Sequence, residues 1–235
     1  PRHVAAMMDH YIEQPVSANR LRTLLSMAMD LAVRRGEVPH NPVASIPRAE
    51  ETPRDRYITD DEYQRILTHS TPEGRVLWRL LYLTGQRLSD VLALREDQIG
   101  PEGITWRTQK SRDRLLLAWT PELREAVDEA RALHGAARRM LLVGTRTGKQ
   151  RSRQHSWELW HRACEAAGVE DAHIHDLRAK ALTDVEAVYG KQAAQALAGH
   201  TSAATTETYL RQRRTVVVRG IGQSRPNELD TSRQQ

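Results

Sequence analysis

The sequence predicts an α+β fold, mostly α, in which a small antiparallel β-sheet accompanies a helical domain. Apolar residues recur at helical spacing over most of the chain, between recognisable capping signals. One stretch instead alternates apolar and polar residues, from Ile104 to Thr108, as a half-buried strand does. The composition, 39% hydrophobic and 28% charged, is that of a globular protein. A length of 235 residues allows one large domain, or a medium domain with a small one.

Residues 1–50 are predicted to be helical. Val16-Ser17-Ala18-Asn19 indicates a helix start with Ser17 as a cap, and apolar residues follow at helical spacing from Leu21 to Ala32. Gly36 ends this helix, and Asn41-Pro42 prevents its continuation. Because the chain then becomes polar and proline-bearing, we place a linker at residues 51–56 and a domain boundary there.

Three further helices are predicted, and a glycine-containing connection separates the second from the third. Thr59-Asp60-Asp61-Glu62 is a capping box that opens the first of them. The second begins near Glu73 and stops at Gly85, and the third begins near Ser89-Asp90. Arg87 is therefore expected in the tight connection between two buried helices.

A β-hairpin with a basic tip is predicted next. The alternating run from Ile104 and the apolar run Leu115–Trp119 flank the polar segment 110–113, Lys110-Ser111-Arg112-Asp113. Thr120-Pro121 then starts a helix that reaches about Leu133. Residues 141–143 are predicted as a third strand.

The last third of the chain is again predicted to be mainly helical. The predicted elements are helices over Ser152–Ala167, His175–Glu186, Gln192–Ala198 and Thr205–Arg211, a strand over Thr215–Val218, and a polar tail from Gly220.

The charge balance favours a phosphate-rich partner. The net charge is +5 with a pI near 9.7, and apart from lysines at 110, 149, 180 and 191 every basic residue other than histidine is arginine, which binds phosphate in a bidentate manner. A codon bias towards arginine and alanine is the alternative explanation. The single cysteine, Cys164, excludes an intramolecular disulfide, fits a reducing cytoplasm and is expected to be a small buried hydrophobe. No apolar run has the length of a membrane span. The start at Pro1 suggests a fragment.

Several short motifs carry little weight separately. His175 and Arg178 share a helix face, but such a pair is expected by chance about once in a chain of this composition. His200 after Gly199 could cap a helix end, Tyr209 could be a core residue, and Arg87 could be a helix-terminal cation.

Taken together, the motifs resemble those of the tyrosine recombinases, the phage integrase family, and most closely the integrases of temperate phages and prophages of proteobacteria. Residues 84–90, Thr84-Gly85-Gln86-Arg87-Leu88-Ser89-Asp90, resemble the first arginine box of that family, and residues 175–178, His175-Asp176-Leu177-Arg178, resemble the second. Ala198-Gly199-His200 resembles the Leu-Gly-His motif, and Thr205-Thr206-Glu207-Thr208-Tyr209 the nucleophile segment. The departures are Asp90, where glutamate is commoner, and Ala198, where leucine is usual.

The resemblance implies a domain organisation. It covers residues from about 56 to 211, and more weakly 17–48. Residues 1–50 would be part of a helical core-binding domain, 57–211 the catalytic domain, and 212–235 a C-terminal strand and flexible tail. The beginning of the core-binding domain and an arm-type domain are expected to lie outside the sequence.

The resemblance also implies the chemistry, which uses neither a metal nor another cofactor. Tyr209 would attack a DNA phosphodiester and form a 3′-phosphotyrosine, and Arg87, Arg178 and His200 would hold the non-bridging oxygens. Lys110 would protonate the leaving 5′-oxygen, and His175 would accept the tyrosine proton. Asp90 would orient Arg87, or else serve only as a charge at a helix start.

The expected partner is double-stranded DNA at attachment sites. Arginines outside the catalytic set would contact its phosphates, and the candidates are Arg112, Arg114, Arg146, Arg151 and Arg153. The family implies a homo-oligomer, a tetramer on synapsed DNA, with a host DNA-bending factor and an excisionase as further partners, at the nucleoid of the bacterial cytoplasm. The alternatives are a type IB topoisomerase-like enzyme and a non-catalytic DNA-binding regulator with the same fold.

Overall fold

The structure, a computed structural model, describes residues 2–52, 54–107, 114–133, 140–145 and 147–199. Within these ranges the chain is mainly helical with one two-stranded antiparallel sheet, which confirms the predicted fold class. The helices are α1 (Arg2–His10), α2 (Pro15–Arg34), α3 (Asp60–Thr68), α4 (Pro72–Thr84), α5 (Leu88–Leu92), α6 (Pro121–Leu133), α7 (Arg153–Ala166), α8 (Ile174–Tyr189) and α9 (Lys191–Ala198). A short 3₁₀ helix covers Glu96–Gln98. The chain forms two compact units, Pro1–Arg54 and Asp55–Gln235.

The first unit contains α1 and α2. The prediction of Ser17 as a helix cap is wrong, because α2 begins at Pro15 with Gln14 as its N-cap. Proline suits the first helical turn, where its missing N–H leaves no bond unmade and its fixed φ is already helical. The helix ends at Arg34, and Gly36 follows with a φ of 74°.

Asn19 fixes the segment that leaves the first unit. Its buried side-chain amide donates to the Ala49 carbonyl at 2.9 Å and to Glu51 Oε1 at 2.7 Å, and its Oδ1 accepts from Ala49 N at 2.9 Å. The polar residues up to Glu51 are therefore held on α2, and the boundary between the two units follows Arg54.

The second unit has a core of leucines, alanines and tryptophans. The Thr59–Glu62 capping box that the sequence predicts opens α3, and Thr71 caps α4. Trp78 of α4 and Trp160 of α7 meet edge to face, with ring centroids 5.0 Å apart. Helices α4, α7 and α8 thereby contribute to a single apolar interior.

The predicted hairpin is present. β1 (Gly103–Arg107) pairs antiparallel with β2 (Arg114–Ala118), and Ile104 lies opposite Leu117. The hairpin tip, which includes Lys110 and Arg112, lies outside the described residues.

The predicted third strand at residues 141–143 is wrong. Leu141 forms only an isolated bridge with Arg95, and Leu142 N donates to the Leu94 carbonyl at 2.9 Å. The chain turns at Leu142 and Val143, so the pairing cannot extend into a ladder.

The helices α7, α8 and α9 begin and end close to the positions that the sequence predicts. Ser152 caps α7 by accepting from His155 N at 3.0 Å, and α8 runs three residues past its predicted end, to Tyr189. α9 ends at Gly199, whose φ is 62°. The helix predicted over Thr205–Arg211 and the strand predicted over Thr215–Val218 lie outside the described residues.

A smaller expectation concerns Cys164. Cys164 is 6% exposed, and burial raises the pKa of its thiol to about 12, so the expectation of a small buried hydrophobe is confirmed. None of the helices in the described part of the chain combines the length and apolar character needed to cross a membrane.

Candidate active site

The first arginine box begins where α4 ends. Gly85 closes that helix with a φ of 61°, a conformation that residues with a Cβ adopt at an energetic cost. A Cβ on Gly85 would also lie 3.0 Å from Leu197 Cδ2, so glycine allows the end of α9 to approach the end of α4. The connection to α5 is consequently as tight as the sequence indicated.

Arg87 is exposed at the end of this connection. It is the N-cap residue of α5, and its backbone carbonyl accepts from Asp90 N at 2.9 Å. Among the described residues none forms a hydrogen bond or an ion pair with its side chain. The guanidinium is thus positioned at the surface with its charge uncompensated by a described neighbour.

Asp90 lies in the first turn of α5 and does not pair with Arg87 in the described part of the structure. A carboxylate in this position interacts favourably with the N-terminal end of the helix. The orienting role that the resemblance implied for Asp90 remains a prediction.

The second arginine box forms the start of α8. Asp176 is 2% exposed and caps the helix, because its Oδ2 accepts from His173 N at 2.9 Å. His175 is exposed in the first turn, and Arg178 follows about one turn later with an exposure of 2%. Burial of an arginine to this degree requires hydrogen-bond partners for its N–H groups.

Two main-chain carbonyls meet the Arg178 guanidinium. Nη1 donates to the Gly85 carbonyl at 2.6 Å, and Nη2 donates to the Ala198 carbonyl at 2.9 Å. Both carbonyls belong to helix C-termini, which leave their last carbonyls without helical partners and carry partial negative charge. Arg178 therefore joins the ends of α4 and α9 through one cation.

Gln86 makes a second connection between the same helix ends. Its Nε2 donates to the Leu197 carbonyl at 2.8 Å and to the Thr84 carbonyl at 3.2 Å. Sequence reasoning assigned no role to Gln86 itself, although it belongs to the first arginine box. The only available signal was an amide in a tight connection between two apolar helices.

The structure brings together three of the predicted motifs. The first arginine box, the second arginine box and the Gly199 end of α9 converge on Arg178 and Gln86, and His200 is the residue that follows Gly199. The predicted site residues outside the described part of the chain are Lys110, Arg112, Arg146, His200 and Tyr209.

Three other predicted DNA-binding arginines lie within the described residues. Arg151 is partly buried, and its Nε donates to the Val143 carbonyl at 3.2 Å. Arg153 is exposed as the first residue of α7, and Arg114 is the first residue of β2.

A polar cluster on α8 was missed entirely. Lys180 is fully buried and pairs with Asp184 one turn later. The signal was helical phase, because both residues fall on the side of the helix that Leu177 and Ala181 direct into the core. Within the described ranges, no group of three or more His, Cys, Asp or Glu side chains could hold a metal ion.

The fold and the arginine boxes define a class of protein. It is a mainly helical domain with a small sheet, in which two helices, α5 and α8, begin with an arginine box. Arg178 of the second box bonds to the ends of α4 and α9. The sequence profile of the phage integrase family matches residues 56–215, more than half of the chain. The chain belongs to the phage integrase family.

Individual relatives agree with this assignment. The chain is 25% identical to the integrases of Enterobacteria phage 434 and Escherichia phage lambda over 226 residues, covering 88% of this chain and 62% of each relative. Among solved structures, a lambda integrase dimer bound to a COC′ core site matches with a TM-score of 0.80 at 23% identity, covering 95% of this chain and 67% of that one. A lambda integrase tetramer bound to a Holliday junction matches with a TM-score of 0.81 at 23% identity, covering 93% and 67%.

Proposed function

We propose that this protein is a site-specific tyrosine recombinase that cleaves and rejoins DNA through a covalent 3′-phosphotyrosine intermediate. One observation carries the proposal. Arg178 bonds to the carbonyls of Gly85 and Ala198, so both arginine boxes and the residue before Gly199-His200 belong to a single arrangement. The family membership of residues 56–215 supports the same reaction.

The proposed substrate is double-stranded DNA at the attachment sites of a phage or mobile element. The lambda integrase structures that share this fold contain a core site or a Holliday junction. We extend that substrate to this chain, together with a tetramer on synapsed DNA, a host DNA-bending factor and an excisionase. Its site of action would be the nucleoid of the bacterial cytoplasm.

The two arginines would stabilise the charge that develops on the phosphate. Arginine remains charged at any relevant pH, and paired N–H donors match two non-bridging oxygens. Arg87 is exposed and can approach DNA directly. Arg178 has a guanidinium whose plane is set by two carbonyls, so its orientation exists before DNA arrives. His200 would donate to the same oxygens.

Tyr209 would have to lose its hydroxyl proton in order to attack the phosphate. A tyrosine has a reference pKa of about 10, so the phenolate of Tyr209 is disfavoured at pH 7 by about 4 kcal/mol. The charges of Arg87 and Arg178 would offset part of this in the proposed site, and His175, exposed in the first turn of α8, would accept the proton. Lys110 would protonate the departing 5′-oxygen.

Covalent capture on a suicide substrate tests the proposal. A duplex selected from a randomised pool by binding to this chain is nicked near its centre, so that the cleaved strand end diffuses away. The native chain is expected to form a stable protein–DNA adduct, and Tyr209→Phe is expected to form none. An adduct that persists in Tyr209→Phe would overturn the assignment of the nucleophile.

The two alternatives give different results. Binding without any adduct in the native chain supports a non-catalytic regulator. Relaxation of supercoiled plasmid without exchange between two selected sites supports a topoisomerase-like enzyme.

A further inference from the structure

A second polar cluster lies on α8 beyond the second arginine box. It consists of Lys180 and Asp184 from α8, Tyr82 from α4, and Tyr57 and Asp60 from the segment that leads into α3; we call it the Lys180 cluster. Lys180 is 0% exposed, although lysine is rarely buried unless it is paired.

The ammonium group of Lys180 has three oxygen partners. Its Nζ donates to Tyr57 Oη at 3.0 Å and bonds to Asp60 Oδ1. Asp184 Oδ2 is the third partner, 3.0 Å from Nζ. An ammonium group has three N–H donors, so these partners can satisfy all of them. The ring of Tyr57 lies 4.8 Å from Nζ, and that of Tyr82 lies 5.3 Å from it.

Asp184 connects the two tyrosines to the cation. Tyr57 Oη donates to Asp184 Oδ1 at 2.6 Å, and Tyr82 Oη donates to Asp184 Oδ2 at 2.9 Å. Burial of Lys180 by itself would lower its pKa, but its hydrogen bonds to Asp60, Tyr57 and Asp184 outweigh burial and raise the pKa above its ordinary value. Burial, with the charge of Asp184, raises the pKa of Tyr82. The lysine is therefore charged and Tyr82 neutral at physiological pH.

The cluster links α8 to α4, as Arg178 does through its bond to the Gly85 carbonyl. Tyr82 lies in the last turn of α4, three residues before Gly85, whose carbonyl accepts from Arg178. Asp184 lies six residues after Arg178, about 9 Å further along α8. Two polar links at different levels therefore connect α8 to the end of α4, and together they determine both the rotation and the axial position of α8.

The hydrogen bonds of the Lys180 cluster restrict the rotation of α8, the helix that carries the second arginine box. Apolar packing alone tolerates small rotations of a helix, whereas a hydrogen bond weakens steeply when its distance or angle departs from the preferred values. A buried ion pair is not required for stability, since apolar side chains of similar volume often stabilise as well. Its geometric specificity is what an apolar substitute would lack.

We propose that Lys180 is a positioning residue that holds α8 against the end of α4 and so sets the separation of Arg87 and Arg178. The inference rests on the proposed function, because it concerns the rate at which those arginines support DNA cleavage. A misplacement of catalytic groups by about 1 Å can lower a rate by roughly 100-fold. The DNA affinity comes mainly from other phosphate contacts and should change little.

Two pairs of matched variants test this inference on the selected, nicked duplex. Lys180→Met removes the cation but retains the apolar stem, and its control is Arg79→Met, because Arg79 on α4 forms a comparable ion pair with Glu125 and Glu129 and is 18% exposed. Tyr82→Phe removes one hydroxyl, and its control is Tyr63→Phe, the neighbouring buried ring 4.9 Å away. For each variant, the cleavage rate under single turnover, the DNA Kd and the Tm are measured.

The expected result is a loss of rate without a loss of binding. Lys180→Met should cleave about 10- to 100-fold more slowly with a Kd within about threefold of the native value, and Tyr82→Phe about fivefold more slowly. Both controls should cleave at the native rate, whatever their Tm. If Lys180→Met proves too unstable to assay, the comparison of Tyr82→Phe with Tyr63→Phe decides the matter.

Failure of the inference is distinct from failure of the proposed function. If the native chain forms no adduct, the proposed function fails. If the native chain cleaves, and each cluster variant cleaves at the same rate as its control, the positioning role of Lys180 is overturned.

Discussion

The two arginine boxes present the same residue type in opposite environments. Arg87 is exposed at the start of α5, whereas Arg178 is 2% exposed and bonded to the carbonyls of Gly85 and Ala198. Within the ranges that the structure describes, Arg87 bonds to the fold through its backbone, whereas Arg178 also bonds through its side chain. A loss of activity on substitution would therefore have different physical origins at the two positions.

Arg178→Ala should have the largest effect, because it affects folding as well as chemistry. Two buried carbonyls lose a charged donor, so we expect destabilisation of about 3 kcal/mol or more and a Tm lower by roughly 6–12 °C. Urea unfolding and calorimetry measure this, and cleavage below the new Tm should be undetectable. A variant as stable as the native chain would contradict the scaffold role of Arg178.

Arg87→Ala should separate chemistry from stability. The cleavage rate should fall by at least about 100-fold, because a charged donor to the phosphate is lost. The free energy of unfolding should change by less than about 0.5 kcal/mol, as for most exposed substitutions. Single-turnover cleavage and urea unfolding of the same preparation test both parts. Equal destabilisation by the two alanine substitutions would remove the contrast.

Gly85→Ala should show how much the contact between α4 and α9 contributes. Alanine at a φ of 61° is strained by about 1 kcal/mol, and its Cβ would displace Leu197 at further cost, for a total of about 2–3 kcal/mol. Gly168→Ala is the matched control, since Gly168 has the same φ of 61° and only Arg65 Nη1, at 4.0 Å, near its Cβ position. If urea unfolding shows equal losses of unfolding free energy in Gly85→Ala and Gly168→Ala, Leu197 moves aside without an energetic cost.

Alanine substitutions of the acidic residues in the two boxes should differ less in their effects on stability. Asp176→Ala removes a buried cap of α8 and should destabilise the protein by about 1–2 kcal/mol. Asp90→Ala removes a partly exposed charge from a short helix and should change stability by less than about 0.5 kcal/mol. Thermal unfolding of both variants tests this. If Asp90→Ala also lowers the cleavage rate, an orienting role towards Arg87 gains support.

Much of the fold was predictable from short stretches of sequence. The capping box at Thr59, the stop at Gly85, the hairpin of β1 and β2 and the start of α6 at Pro121 all depend on residues within a few positions of one another. The two errors, Ser17 as a cap and a third strand at 141–143, arose where such local signals compete. At Ser17 a proline two residues earlier already starts the helix, and at Leu142 the chain turns away after one bridge.

The residue types of the site were predictable, but their environments were not. The pattern of His175 and Arg178 indicates a shared helix face, yet it contains no information that Arg178 is buried. Likewise, nothing local except its helical phase distinguishes Lys180 from the exposed Lys149 and Lys191.

The sequence by itself therefore determined most of the helices and their caps, the hairpin and the family, because each depends on local pattern or on the order of motifs. The tertiary structure decided that Arg178 joins two helix ends, that Gln86 fastens α9, and that Tyr57 reaches α8. These contacts link positions separated by 93, 111 and 127 residues. Local propensity cannot specify them, because a buried donor finds its acceptor only after the helices have packed.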